Sequence, residues 1–101
     1  MQTLHELQAD LETSLTTFGA SRQSHSAHGA GLRFQGRILD WVQRKIEEGI
    51  LSPERKEAIK AVALTVFDGF DIPYIGGVIE ASVKKFLRPL FESALNELLN
   101  I

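Results

Sequence analysis

The sequence contains no cysteine. That excludes disulfides and thiolate metal sites and fits a reducing compartment, so a cytoplasmic setting is expected. Cationic charge is not in surplus either: Lys and Arg number 11 against 13 Asp and Glu, for a net charge of -2. A sequence-tolerant phosphate binder needs a field of basic side chains, so nucleic acid is not an expected partner. Long hydrophobic runs are missing too. The most apolar window, residues 61–79, is broken by Asp68, Asp71 and Pro73, which a membrane-spanning helix would hardly carry together. Met1 to Phe18 holds Glu6, Asp10 and Glu12 where a secretory signal would need an apolar core. Internal repeats and blocks of like charge do not occur. What remains is a 101-residue chain with 44% apolar and 24% charged residues, the composition of one soluble globular domain.

The chain is organised around Ala58 to Phe67, which has one charged residue, Lys60, in that stretch. At helical spacing Ile59, Val62, Ala63, Val66 and Phe67 share a face, and Ala58, Ala61 and Leu64 cover most of the rest. A helix apolar nearly all round belongs at the centre of a bundle. Its start is marked by Ser52-Pro53-Glu54: an N-cap hydroxyl, a proline where no N–H is needed, and an acid in the first turn. This predicts a third helix over 53–68, capped by Gly69.

Thr3-Leu4-His5-Glu6 has the form of a capping box and predicts a first helix over 3–18. Leu4, Leu7, Leu11, Leu15 and Phe18 form its narrow seam, suited to a single neighbour, either in the same bundle or on another chain. Ala20 to Gly31 lacks any large apolar residue. Residues 19–31 are therefore expected to be a flexible linker, leaving the first helix free to exchange between protomers. A second helix is predicted over 32–48, with Leu32, Phe34, Ile38, Leu39, Trp41, Val42 and Ile46 on a wide apolar face and Lys45 at its edge. Arg44 is at pairing distance from Asp40, Glu47 and Glu48.

Val78 to Asn100 reads as a fourth helix, kinked at Pro89. Ile79, Val83, Phe86, Leu87, Leu90, Phe91, Ala94, Leu95 and Leu98 stay in helical phase, with Glu80–Lys84 and Arg88–Glu92 as surface pairs. The preceding loop is unusually apolar: Phe70, Ile72, Tyr74 and Ile75 either tuck over the bundle end or serve as contacts. The expected fold is thus an all-α, four-helix bundle in a single domain, with a flexible linker after the first helix.

Constellations that could carry chemistry do not assemble. His25 and His28 sit in the linker among Ser, Ala and Gly, and His5 lies elsewhere, so no metal site is expected. Asp68 and Asp71 read as turn and cap residues. Gly76-Gly77 precedes a helix without the strand or the Lys and Ser/Thr of a phosphate loop. Neither an enzyme nor a cofactor is expected. The expected function is protein–protein interaction or self-assembly, first as a homodimer, through Leu4, Leu7, Leu11, Leu15 and Phe18, through Phe70, Ile72, Tyr74 and Ile75, or through both. The alternative is a membrane-surface or apolar-ligand binder acting through residues 70–91, with Lys84, Lys85 and Arg88 facing anionic lipid.

Overall fold

A computed structural model describes residues 3–18, 27–72 and 76–101. Four helices follow in order, α1 (Leu4–Phe18), α2 (Ala27–Glu47), α3 (Pro53–Gly69) and α4 (Gly77–Leu99), with no strand among the described residues. Each start has a local cause. Thr3 N–H donates to Glu6 Oε1 at 2.8 Å while Glu6 N–H donates to Thr3 Oγ1 at 3.1 Å, which closes the capping box. Ser52 Oγ accepts from Arg55 N–H at 3.1 Å with Pro53 in the first turn of α3. The turn between α2 and α3 uses Gly49 at φ 154°, a conformation that side chains rarely adopt.

Helix directions follow from the contacts. Gly31 near the start of α2 lies against Val83 and Leu87, and Ile46 near its end shares a groove with Leu98 and Leu99, so α2 and α4 run parallel. The ion pairs Arg88–Asp68 (3.3 Å) and Lys60–Glu92 (3.7 Å) set α3 antiparallel to α4. Both α2 and α3 touch all three other helices, while α1 packs on α2 and α3 and stays apart from α4. Ile59, Val62, Ala63, Val66 and Phe67 are the buried residues of α3, the face anticipated from its spacing. Phe67 stacks on Phe91 with centroids 4.5 Å apart, and Phe34 packs beside it at 5.8 Å.

Three expectations are corrected. The predicted linker does not extend to Gly31, because Ala27 to Gly31 form the first turns of α2. Gly31 is helical and buried at the contact with α4: a Cβ there would come within 2.4 Å of Val83 Cγ1 and 2.9 Å of Leu87 Cδ1. The residue serves close helix packing, not chain freedom. Gly69 is the last residue of α3 without a left-handed φ, and the cap is Phe70 in extended conformation, its N–H donating to Val66 O. The Arg88 guanidinium pairs with Asp68 across the α3–α4 contact, and Glu92 with Lys60, in place of the expected pair along α4.

Candidate interaction surface

The residues singled out in the sequence separate into buried, tucked and exposed sets. Leu7, Leu11 and Leu15 are buried in the core shared by all four helices, and Leu4 is exposed at the helix start. The seam of α1 is therefore satisfied by α2 and α3 of the same chain. The Phe18 side chain, with Tyr74, Ile75, His25 and most of the expected linker, lies outside the described residues, as does the side chain of His28. Of the apolar loop, Ile72 is buried and Phe70 is partly buried, its ring stacked on Phe34 at 6.2 Å. The described half of the loop covers the bundle end.

Two polar clusters fasten these elements. In the first, Asp10 of α1 accepts from Trp41 Nε1 of α2 at 2.8 Å and pairs with Lys45 Nζ at 3.1 Å, with Lys45 also 5.5 Å from the Trp41 ring centroid. Lys45, at the edge of the apolar face of α2, is largely buried, with its ammonium paired to Asp10 and Glu48. The Trp41 hydrogen bond holds the Asp10 carboxyl below its usual value, aided by Lys45 and opposed by desolvation. The capping bonds from Thr3 lower Glu6 in the same way.

A pH dependence follows. A carboxylate whose folded pKa is depressed stabilises the fold above the unfolded value of about 3.9, and that stability is lost as pH falls through the folded pKa. Asp10 is partly exposed, so its share is expected to be under about 1 kcal/mol. Asp10→Asn should flatten the acid limb of a thermal-midpoint against pH profile below about pH 4 and leave the neutral limb nearly parallel to wild type. An unchanged acid limb would assign that dependence to other carboxylates. Trp41 is the sole tryptophan, so its fluorescence reports this contact directly.

The second cluster closes the α3–α4 connection. Lys84 Nζ donates to Phe70 O at 2.7 Å and Asp68 O at 3.3 Å, and lies 3.7 Å from Glu80, whose other oxygen accepts from Ile72 N–H at 2.6 Å. Lys84 thereby satisfies carbonyls left open at the end of α3. With Arg88 turned to Asp68, two of the three expected lipid-facing cations are engaged inside the fold, and Lys85 alone of them is exposed. Among the described residues no group of His, Cys, Asp and Glu is placed to hold a metal ion, and no helix is long and apolar enough to cross a membrane.

The surface that stands out was not singled out from sequence. Helix α4 splits its apolar residues between two directions: Leu87, Phe91, Leu95 and Leu99 enter the core, whereas Ile79, Phe86 and Leu90 are 53%, 61% and 55% exposed. On a helical wheel these three fall on the flank beyond Val83 and Leu87, the residues that touch α2. Leu32, 47% exposed, occupies the matching outer flank of α2, one position past Gly31. Gly36, Leu39 and Gln43 continue that flank, and Ser82 and Ser93 continue the one on α4. The result is a two-helix face on which the lines Leu32, Gly36, Leu39, Gln43 of α2 and Ile79, Ser82, Phe86, Leu90, Ser93 of α4 carry no ionisable residue, with the exposed Asp40 bordering the line on α2. The signal was present in the sequence, since nine apolar positions on α4 span more of the wheel than one contact can bury.

The chain matches no known protein family, no curated protein and no solved structure. Its function is argued from this geometry alone.

Proposed function

We propose that the chain is a non-enzymatic protein–protein interaction module that binds through the outer α2/α4 face, in a cytoplasmic setting. The observation that carries this reading is four large, half-exposed apolar side chains that lie along two lines of uncharged residues on neighbouring helices. At roughly 200 Å² for a whole side chain of this size, Leu32, Ile79, Phe86 and Leu90 together expose roughly 400 Å². Contiguous apolar patches beyond a few hundred Å² mark binding surfaces, and depletion of charge is the mark of an interface core. Catalysis finds no comparable support, because the polar groups that converge, around Asp10 and around Lys84, are paired with one another and with backbone carbonyls. The membrane-surface alternative is weakened by the same pairing, which draws Lys84 and Arg88 inward.

A face held for a partner contributes little to the fold of the monomer. Leu32→Gln, Ile79→Gln and Leu90→Gln in one dilute protein should shift the unfolding free energy by no more than about 0.5 kcal/mol per site and abolish binding of an apolar fluorescent dye that the parent chain takes up. Loss of stability on the scale of a core truncation, about 2 to 5 kcal/mol per site, would instead make this face structural. The chain should also fail to float with anionic liposomes at low salt, the condition most favourable to a lipid surface.

A further inference from the structure

We infer that α1 is a detachable strap: it opens from the bundle as one unit while α2, α3 and α4 stay folded, and in opening it uncovers Trp41. Trp41 and Leu32 stand half a turn apart on the wheel of α2, so the strap lies on the side of that helix away from the α2/α4 face. The inference is therefore independent of what that face binds.

The four helices are fastened unequally. Phe34, Phe67 and Phe91 bring one ring each from α2, α3 and α4 into a single cluster. The pairs Arg88–Asp68 and Lys60–Glu92 tie α3 to α4, and Lys84 holds the carbonyls at the end of α3. Gly31 lets α2 close on α4. None of these contacts involves α1. That helix is held by three leucines, Leu7, Leu11 and Leu15, and by one polar clasp, in which Asp10 accepts from Trp41 and pairs with Lys45. When it leaves, α2 and α3 remain packed on each other and on α4. An element held by fewer buried contacts than the rest opens at a lower free energy than the whole.

The strap also depends on the bundle for its own helical form. A helix of 15 residues is marginal by itself in water. Residues 13–17, Thr-Ser-Leu-Thr-Thr, are poor helix formers apart from Leu15. Thr13 Oγ1 donates to Ala9 O and Thr16 Oγ1 to Glu12 O, each at 2.9 Å, a back-bonding that weakens and bends a helix. The capping box at Thr3 and Glu6 supports only the other end. Docking and helix formation are thus one event, which makes the opening cooperative. Once α1 is off, Trp41, 1% exposed in the closed bundle, loses Asp10 as acceptor and turns a bare ring to solvent.

The test is amide hydrogen exchange of the full chain, followed residue by residue at increasing urea below the unfolding transition. Relative to their intrinsic rates, the amides of Leu11 and Leu15 should exchange at least about 10-fold faster than the slowest amides of α2, α3 and α4, with a shared urea dependence shallower than that of the slowest amides. Phe91→Leu alters a core ring on a helix that α1 does not touch. It should speed the slowest amides about 10-fold and leave Leu11 and Leu15 within about 2-fold of the parent chain. Leu11 and Leu15 that accelerate in step with the core would overturn the inference, because α1 would then open only in global unfolding. Exchange at these two amides without any urea dependence would overturn it as well, since that is fraying residue by residue. If Phe91→Leu does not fold, the urea slopes of the parent chain decide: slopes for Leu11 and Leu15 equal to those of the core contradict a separate unit.

Discussion

Phe67→Ala is expected to lower the unfolding free energy by about 3 to 5 kcal/mol, read from the denaturation midpoint at unchanged m-value. Phe67 is fully buried where α2, α3 and α4 meet, stacked on Phe91 and packed beside Phe34. Alanine would remove both ring contacts and leave a cavity that rings anchored on two other helices cannot collapse to fill. Domains of this size are stable by about 5 to 15 kcal/mol, so the loss takes a large fraction of the total. Ile50, fully exposed in the α2–α3 turn, should tolerate the same truncation with a change within about 0.5 kcal/mol. Equal effects at the two positions would contradict the assignment of the core.

Gly31→Ala is expected to destabilise by about 1 to 3 kcal/mol, opposite in sign to the usual glycine-to-alanine change inside a helix. The added methyl would sit 2.4 Å from Val83 Cγ1 and 2.9 Å from Leu87 Cδ1. Val83 is β-branched and has little rotamer freedom in a helix, so relief requires α2 and α4 to separate. The control is Gly69→Ala. That glycine is also helical, its added Cβ would meet nothing within 4 Å, and alanine there should be neutral or stabilise by up to about 1 kcal/mol. Thermal midpoints that move the same way in both variants would show that Gly31 is not a packing glycine.

These two positions also mark what could be read from the sequence. The central stretch was legible because apolar spacing and the Ser-Pro-Glu start agree, and the capping box at Thr3 to Glu6 encodes its own geometry within four residues. Gly31 is not legible as a packing residue, because a glycine required for close helix approach looks the same in sequence as one in a linker. The neighbouring Ser, Ala and Gly residues supplied the wrong context. Long-range polar contacts were illegible for a different reason: Asp10 and Trp41 are 31 residues apart, and only the relative placement of α1 and α2 brings them to 2.8 Å.

The apolar residues of α1 form a narrow seam, which fits a neighbour in the same bundle as well as one on another chain, and Leu7, Leu11 and Leu15 are buried within their own bundle. Spacing told which residues of α4 are apolar but not which direction the bundle would cover. Ile79, Phe86 and Leu90 therefore merged with the true core positions into one stripe. The basic cluster dissolved on folding for a similar reason, since Lys84 and Arg88 meet the end of α3 only once the two helices pack.

The most direct test is methyl NMR of Leu, Ile and Val residues with a soluble paramagnetic probe in dilute protein. Leu32, Ile79 and Leu90 are expected to be broadened by the probe, while Leu7, Leu11 and Leu15 are protected. Accessible Leu7, Leu11 and Leu15, with Leu90 protected, would contradict the fold and the proposed surface together, because the first helix would then be the open surface and the α2/α4 face part of the core.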